Sequence, residues 1–341
     1  MFDQTIIALD AGRSAFKIVA FDGKRHEVLI PTTVSRASAI SDAAEATAAE
    51  RDTVVVDKIS YFCGETAQIH GNAQNTIGLS PLWIDTPEYR ALCLAAVKRL
   101  SYMGVKGLEN PFIVVGTPAG LYKVHRRLHE EITAATINGK VKAIHQPLGA
   151  YMAYYLDERG FPQRERARRS NDQMRSWGVI EIGHYTTDFL LIRNGKPVDL
   201  NSSTCRGMSL AVEKLMALLH ARNMLSKSAL QCMDALVSGS TMFRGKEESI
   251  AKEKDEACEY VAQEIRTFAL NTYSSLADEL DGILLAGGGA AMMFPYLERE
   301  LDNVILLDNS RWAVAEGYLR WAKGIFQKRA LEAKLVVENH G

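Results

Sequence analysis

The sequence predicts an α/β protein built from two related halves. Length is the first sign: 341 residues suit about two domains at the usual domain size. The second is a strand-turn-strand hairpin, with an acid and a glycine at the tip of its first strand, that occurs at residues 6–26 and again at 178–197. The third is a run of three glycines, Gly287-Gly288-Gly289, joining an apolar strand to a helical pattern.

Composition sets the outer bounds. Charged residues are 24% and apolar residues 47%, an ordinary soluble globular balance. The formal net charge of −1 provides no overall basic field, so direct DNA binding is not expected. The five cysteines (Cys63, Cys93, Cys205, Cys232, Cys258) form no Cys-x-x-Cys pair and read as reduced thiols, not as a disulfide or zinc framework. "MFDQTIIALD" lacks the basic and apolar regions of a signal peptide, and no run approaches the roughly 18 apolar residues of a membrane span. The expectation is a cytoplasmic protein with no membrane partner.

The elements follow in order. "TIIALD" and "AFKIVAFD" read as strands joined by the Gly12–Ser14 turn, and the Asp22-Gly23 hairpin turn leads into "EVLIPTTV". Residues 35–53 are alanine-rich and fit a surface loop or short exposed helix. "TVVVDKISYFCGE" alternates like a strand pair, and "TPEYRALCLAAVKRLSYMG" is helical, with Asp85 or Thr86 to cap it. "PFIVVGTP" is a short buried strand ended by Thr-Pro. On the helix "LYKVHRRLHEEITA", His125 and His129 have the spacing of a metal pair. The intervening "RRL" lacks a carboxylate and repels a cation, so an exposed face is expected. "LGAYMAYYLDERG" is a helix ended by Gly160. Residues 159–175 hold six arginines and a proline and read as a solvated linker, with an interaction patch as the other reading.

The repeated hairpin carries the chemistry. Asp10-x-Gly12 corresponds to Glu181-x-Gly183, and the Asp-Gly-Lys turn at 22–24 corresponds to the Asn-Gly-Lys turn at 194–196. Either copy alone is a weak signal; two in matching register indicate a duplicated domain. Glycine lets turn backbone approach an anion with its N–H groups pointed at it. Ser14 and Thr186 offer hydroxyls and Lys17 a point charge. A strand-tip carboxylate suits the water shell of Mg²⁺. Three consecutive glycines at a strand-to-helix junction let the chain lie flat against a planar group.

These elements, in this order, resemble the superfamily of actin, sugar kinases and chaperone ATPases. Asp10-x-Gly12-x-Ser14-x-x-Lys17 is similar to its first phosphate motif and Glu181-x-Gly183-x-x-Thr186-x-Asp188 to its second. "LLAGGG" at 284–289 is similar to its adenosine motif, and "HQPLGAYMAYY" and "NSRWAVAEGYLRWA" to its two connecting helices. The short hairpins and "GHYTTD" resemble most the plasmid-segregating actins of the ParM/StbA type. The resemblance implies an actin-like α/β fold, two ribonuclease-H-like lobes around a nucleotide cleft. The first lobe would be residues 1–160, with an inserted subdomain at about 30–90, completed by a C-terminal helix at about 311–330. A basic linker at 161–176 would lead to a second lobe at 177–310, with an inserted helical subdomain at about 215–275.

The resemblance further implies an ATPase with ATP/ADP and Mg²⁺ as cofactors. Asp10 and Glu181 would hold Mg²⁺ through its waters, and Gln146 would orient the attacking water. Gly12, Ser14, Lys17, Gly183 and Thr186 would take the phosphates, Gly287, Gly288 and Gly289 the adenosine, and Gly207, Glu213 and Lys214 the ribose. Hydrolysis would accompany assembly of the chain with itself into filaments. A DNA-bound adaptor at a plasmid centromere-like site would supply the cargo contact. Two departures stand out: Glu181 replaces the usual Asp, and His184-Tyr185 replaces smaller residues. They keep a nucleotide-binding scaffold filament with little turnover as an alternative, beside a small-molecule kinase that would use Asp188 as its base.

Overall fold

The computed structural model describes residues 4–71, 82–224 and 227–338. The chain divides into two units, Met1–Asp172 with Trp312–Gly341, and Gln173–Arg311.

The first unit opens with β1 (Ile6–Ala11), β2 (Ala15–Phe21) and β3 (Arg25–Pro31), followed by β4 (Val34–Arg36), α1 (Ala43–Glu50), β5 (Thr53–Val56), β6 (Ile59–Cys63) and α2 (Glu65–His70). α3 (Pro87–Tyr102), β7 (Phe112–Thr117), α4 (Tyr122–Ile137), β8 (Lys140–His145), α5 (Gln146–Tyr155) and α6 (Arg164–Ala167) complete its first stretch. Its main sheet has the order β3-β2-β1-β7-β8, antiparallel over the two hairpins and parallel across β1-β7-β8. β1 and β2 are apolar at nearly every position because helices cover both faces. Ile7 and Leu9 join the cluster that holds Leu92, Ala96 and Leu100 of α3. The alternate residues Ile6 and Ala8 point to the other face by strand parity, as does Asp10.

Local signals explain most element ends. Thr86 caps α3 by accepting from Tyr89 N–H, and Pro87 sits at the first turn, where its missing donor costs nothing. β5 and β6 are joined by Asp57-Lys58, both left-handed, the backbone of a tight hairpin turn. α1 is the short exposed helix allowed by the alanine-rich composition. Part of the subdomain expected at about 30–90, residues 72–81, lies outside the described residues.

The second unit repeats the plan. It contains β9 (Trp177–Ile182), β10 (Thr186–Arg193), β11 (Lys196–Arg206), α7 (Met208–Ala221), α8 (Ala229–Ser238), β12 (Ser240–Phe243), β13 (Lys246–Ser249), α9 (Ala251–Tyr273), β14 (Gly282–Ala286), α10 (Ala290–Leu297) and β15 (Val304–Leu306). Its sheet order, β11-β10-β9-β14-β15, matches the first sheet strand for strand and direction for direction. Ile180 and Ile182 face a core built from α7 and α9, which puts Glu181 on the opposite face, as Asp10 is in the first sheet. α11 (Ala313–Glu338) returns to the first unit and crosses α5. There Gly317 and Gly149 meet backbone to backbone, since a Cβ on Gly317 would lie 1.7 Å from Gly149 O. No described helix is long and apolar enough to cross a membrane.

Two expectations are corrected. α5 stops at Tyr155, not at Gly160; Gly160 (φ +91°) instead turns the following loop so that it packs on Gly324 of α11. His129 is buried, not exposed, bonded to Tyr89 Oη at 2.8 Å and Thr117 Oγ1 at 3.1 Å, while Tyr89 Oη also meets Thr133 at 2.7 Å. Burial pushes its pKa down to about 4. The arginine-rich segment is a largely exposed loop carrying α6, with Gln163 and Arg166 bonded to carbonyls of Tyr154 and Leu156.

Candidate nucleotide site

In the first unit, the hairpin places Asp10 and Lys17 directly opposite each other across β1 and β2. Asp10 is fully buried, and its Oδ2 lies 2.5 Å from the Lys17 ammonium. That oxygen has no well-aligned hydrogen-bond donor among the described residues. Its Oδ1 is 3.5 Å from the side-chain amide of Gln146, the first residue of α5. A buried carboxylate with spare acceptor capacity is what an outer-shell ligand of a hydrated divalent cation requires, so the residues fit Mg²⁺.

The turn is shaped for close approach. Gly12 donates to Asp10 O at 2.9 Å, and a Cβ there would meet Ala15 O at 2.6 Å. Thr32, just beyond β3, pins the turn from behind: its hydroxyl donates to Gly12 O at 2.6 Å and its N–H to Ser14 O at 2.9 Å. Ser14 itself is exposed. Tyr318 of α11 donates to Gln146 O at 3.3 Å, holding the start of α5. Thr32 and Tyr318 are supports that sequence reasoning missed; the only hint was a threonine pair after an apolar strand.

In the second unit the same construction returns with different side chains. Glu181 pairs in register with Asp188, as Asp10 does with Lys17, and both acids are buried. A Cβ on Gly183 would meet Thr186 O at 2.8 Å, the contact Gly12 makes three residues ahead. Asp188 accepts from Thr204 Oγ1 at 2.8 Å and from Thr186 Oγ1 at 3.2 Å. The Thr186 hydroxyl is therefore already engaged with its neighbour. His184 is half-buried and packs edge-on against Tyr185 at 4.6 Å; burial holds it below the ordinary histidine pKa.

The remaining site residues of this unit divide by location. Gly207 packs on the hairpin tip: a Cβ there would lie 2.4 Å from Gly183 O and 2.9 Å from both His184 O and Thr186 O. The next two N–H groups, of Met208 and Ser209, donate to Gly183 O and His184 O at 3.0 and 2.6 Å. The start of α7 is thus spent on the turn's carbonyls. Gly287 and Gly289 press on the end of β9, the latter donating to Ile182 O at 3.0 Å. Gly288 alone of the three faces open space. Glu213 is exposed and paired with Arg206, while Lys214 bridges to Glu256 at 2.9 Å and lies 5.7 Å from the centre of the Tyr260 ring.

Comparison with known proteins fits this geometry. Residues 8–149 match the family model described as the N-terminal domain of actin like proteins, and residues 179–299 match that of the archaeal actin homologue MreB-like, C-terminal. The chain is an actin-like protein. Its fold is that of solved chains of this kind. A 15-stranded ParM filament from Clostridium botulinum shares 19% identity over 94% of this chain and 99% of that one, with a TM-score of 0.71. The archaeal actin homologue Ta0583 shares 18% over 94% and 99%, with a TM-score of 0.72. The actin-like protein Alp7A shares 14% over 97% and 99%, with a TM-score of 0.71. No curated protein matches the actin-like chain.

Proposed function

We propose that this actin-like chain is a nucleotide-dependent ATPase that polymerises into filaments and, through a DNA-bound adaptor, segregates plasmid DNA in the cytoplasm. The observation that carries the reading is the duplicated hairpin with a buried acid at each tip, Asp10 and Glu181. Supporting it are the two matching actin-family models, a C. botulinum ParM solved as a filament, Ta0583 solved with ADP and a Bacillus thuringiensis ParM solved with AMPPNP.

Asp10 and Glu181 would hold the metal through water. A Mg²⁺ held there would supply positive charge against the charge of the phosphates. Lys17 would move from Asp10 to a phosphate oxygen, exchanging one anionic partner for another inside the same turn. The Gly12 and Gly183 turns allow the phosphates to approach, and Gly288 offers an open backbone surface for a base. The Gln146 amide orients a water and is too weak a base to deprotonate it. Asp188 suits a supporting role, since both its oxygens accept from threonine hydroxyls, and this weighs against the kinase alternative.

Sedimentation and electron microscopy with ATP, ADP and a non-hydrolysable analogue test the proposal. Filaments that form with ATP or the analogue and disperse with ADP are expected. A chain that stays monomeric in all three states would refute it.

A further inference from the structure

The nucleotide reading gives Gln146 the task of orienting a water. Gln146 is the first residue of α5, half-buried, with its amide 3.5 Å from Asp10 Oδ1. The aim of that amide depends on where the backbone at the start of α5 stands, and small misplacements of an orienting group are costly to a reaction.

Two aromatic contacts hold this backbone. One residue earlier, the ring of His145 stacks on Tyr122, the first residue of α4, at 3.7 Å between centres. At Gln146 itself the contact comes from α11. Tyr318 is wholly buried, and its hydroxyl donates to Gln146 O at 3.3 Å. The ring lies in a slot left by two glycines. A Cβ on Gly116 of β7 would overlap the Tyr318 hydroxyl and lie 3.2 Å from Gln146 Cα, and one on Gly149 of α5 would lie 2.5 Å from Tyr318 Cε1. Any side chain at Gly116 would therefore displace the tyrosine or the start of α5. Packing alone would be served by phenylalanine. The Gln146 carbonyl, at the start of a helix, already belongs to the helix ladder, so the Tyr318 hydroxyl is not needed to satisfy it.

The rest of α11 is seated on the same elements. Val314, Ala315, Leu319 and Ala322 are buried with Tyr318 along one face. Arg320 donates to the carbonyls of Ala153 and Leu156 at 2.7 and 2.8 Å. α11 starts at Ala313, just after the second unit ends at Arg311, so Tyr318 stands close to the point where the chain re-enters the first unit.

We propose that Tyr318 is a positioning residue for Gln146: its hydroxyl fixes the first turn of α5, so the seating of α11 in the glycine slot sets the aim of the Gln146 amide. The consequence for hydrolysis rests on the nucleotide reading; the consequence for Gln146 itself rests on the geometry of the first unit alone.

The test compares the full chain with Tyr318→Phe and Gly116→Ala, singly and combined. One readout is phosphate release from ATP at matched polymer content. The other is the side-chain amide NMR signal of Gln146 in a chain isotope-labelled at glutamine, assigned by its loss in Gln146→Ala. Tyr318→Phe should lower kcat about tenfold with KM unchanged, keep its melting temperature within a few degrees and move the Gln146 signal. Gly116→Ala should lower kcat at least as far, and the combined variant should be no worse than Gly116→Ala, since both act on one contact. An unchanged kcat in Tyr318→Phe beside an active parent, a fall that only tracks loss of folded chain, or an unmoved Gln146 signal would each overturn the proposal. A parent without turnover would instead count against the nucleotide reading; the Gln146 signal then decides, supporting the proposal if Tyr318→Phe moves it and overturning it if not.

Discussion

Asp10 and Lys17 form a nearly water-free ion pair, with side chains 0% and 10% exposed. Removing one partner from such a pair strands the other, which typically costs about 3–5 kcal/mol, whereas removing both can be close to neutral. Lys17→Met should therefore lower stability by that order, and adding Asp10→Asn should restore most of it; denaturant titrations of the two single variants and the double variant measure this. Asp10→Asn should also abolish Mg²⁺-dependent nucleotide hydrolysis. At the second hairpin, Glu181→Asp withdraws the carboxylate by one methylene and should change turnover, measured by phosphate release, while leaving the melting temperature within a few degrees. His129 carries a pH dependence. Its folded pKa of about 4 lies below the unfolded value near 6.5, so the unfolded chain binds the proton first. The stability held above pH ~6.5 is lost as pH falls toward 4, on the order of 3 kcal/mol in all. A His129→Gln variant should show a shallower fall in melting temperature between pH 7 and 4.5 than the parent, and an identical fall would contradict the assignment.

At the scale of elements, the glycine run divides its labour. Gly289 has Ile182 and Met208 side-chain atoms within 2.6–2.9 Å of where a Cβ would sit, while nothing lies within 4 Å for Gly288. Gly289→Ala should cost about 1–3 kcal/mol from overpacking. Gly288→Ala should fold like the parent but bind ATP more weakly, as calorimetry of both variants would show. The strands, the two hairpins and the strand-to-helix glycine turn were legible in the sequence, because period-2 apolar runs and Asn-Gly or Asp-Gly turns are local signals. Thr32, Thr204 and Tyr318 were not legible, since each reaches the site from a segment distant in sequence. His129 was misread because the arginines before it signal a surface helix, while the partners that bury it, Tyr89 and Thr117, are distant in the sequence pattern of α4. Gly160 resembled a helix cap because a left-handed glycine looks the same in any tight turn.

For the molecule as a whole, duplication is the governing fact. Two sheets of identical strand order place an acid at the tip of the strand three from one edge, with a residue of matched register across the hairpin: lysine in one copy, aspartate in the other. In the first copy Lys17 neutralises Asp10 across the hairpin, and in the second Asp188 faces Glu181 and accepts from the Thr186 and Thr204 hydroxyls. The most direct measurement is steady-state phosphate release per molecule from ATP as protein concentration is raised, with pelleted polymer followed in parallel. Turnover per molecule should stay near zero below a critical concentration and rise together with polymer above it. Turnover per molecule that is constant across concentrations, with nothing in the pellet, would contradict an assembly-coupled ATPase.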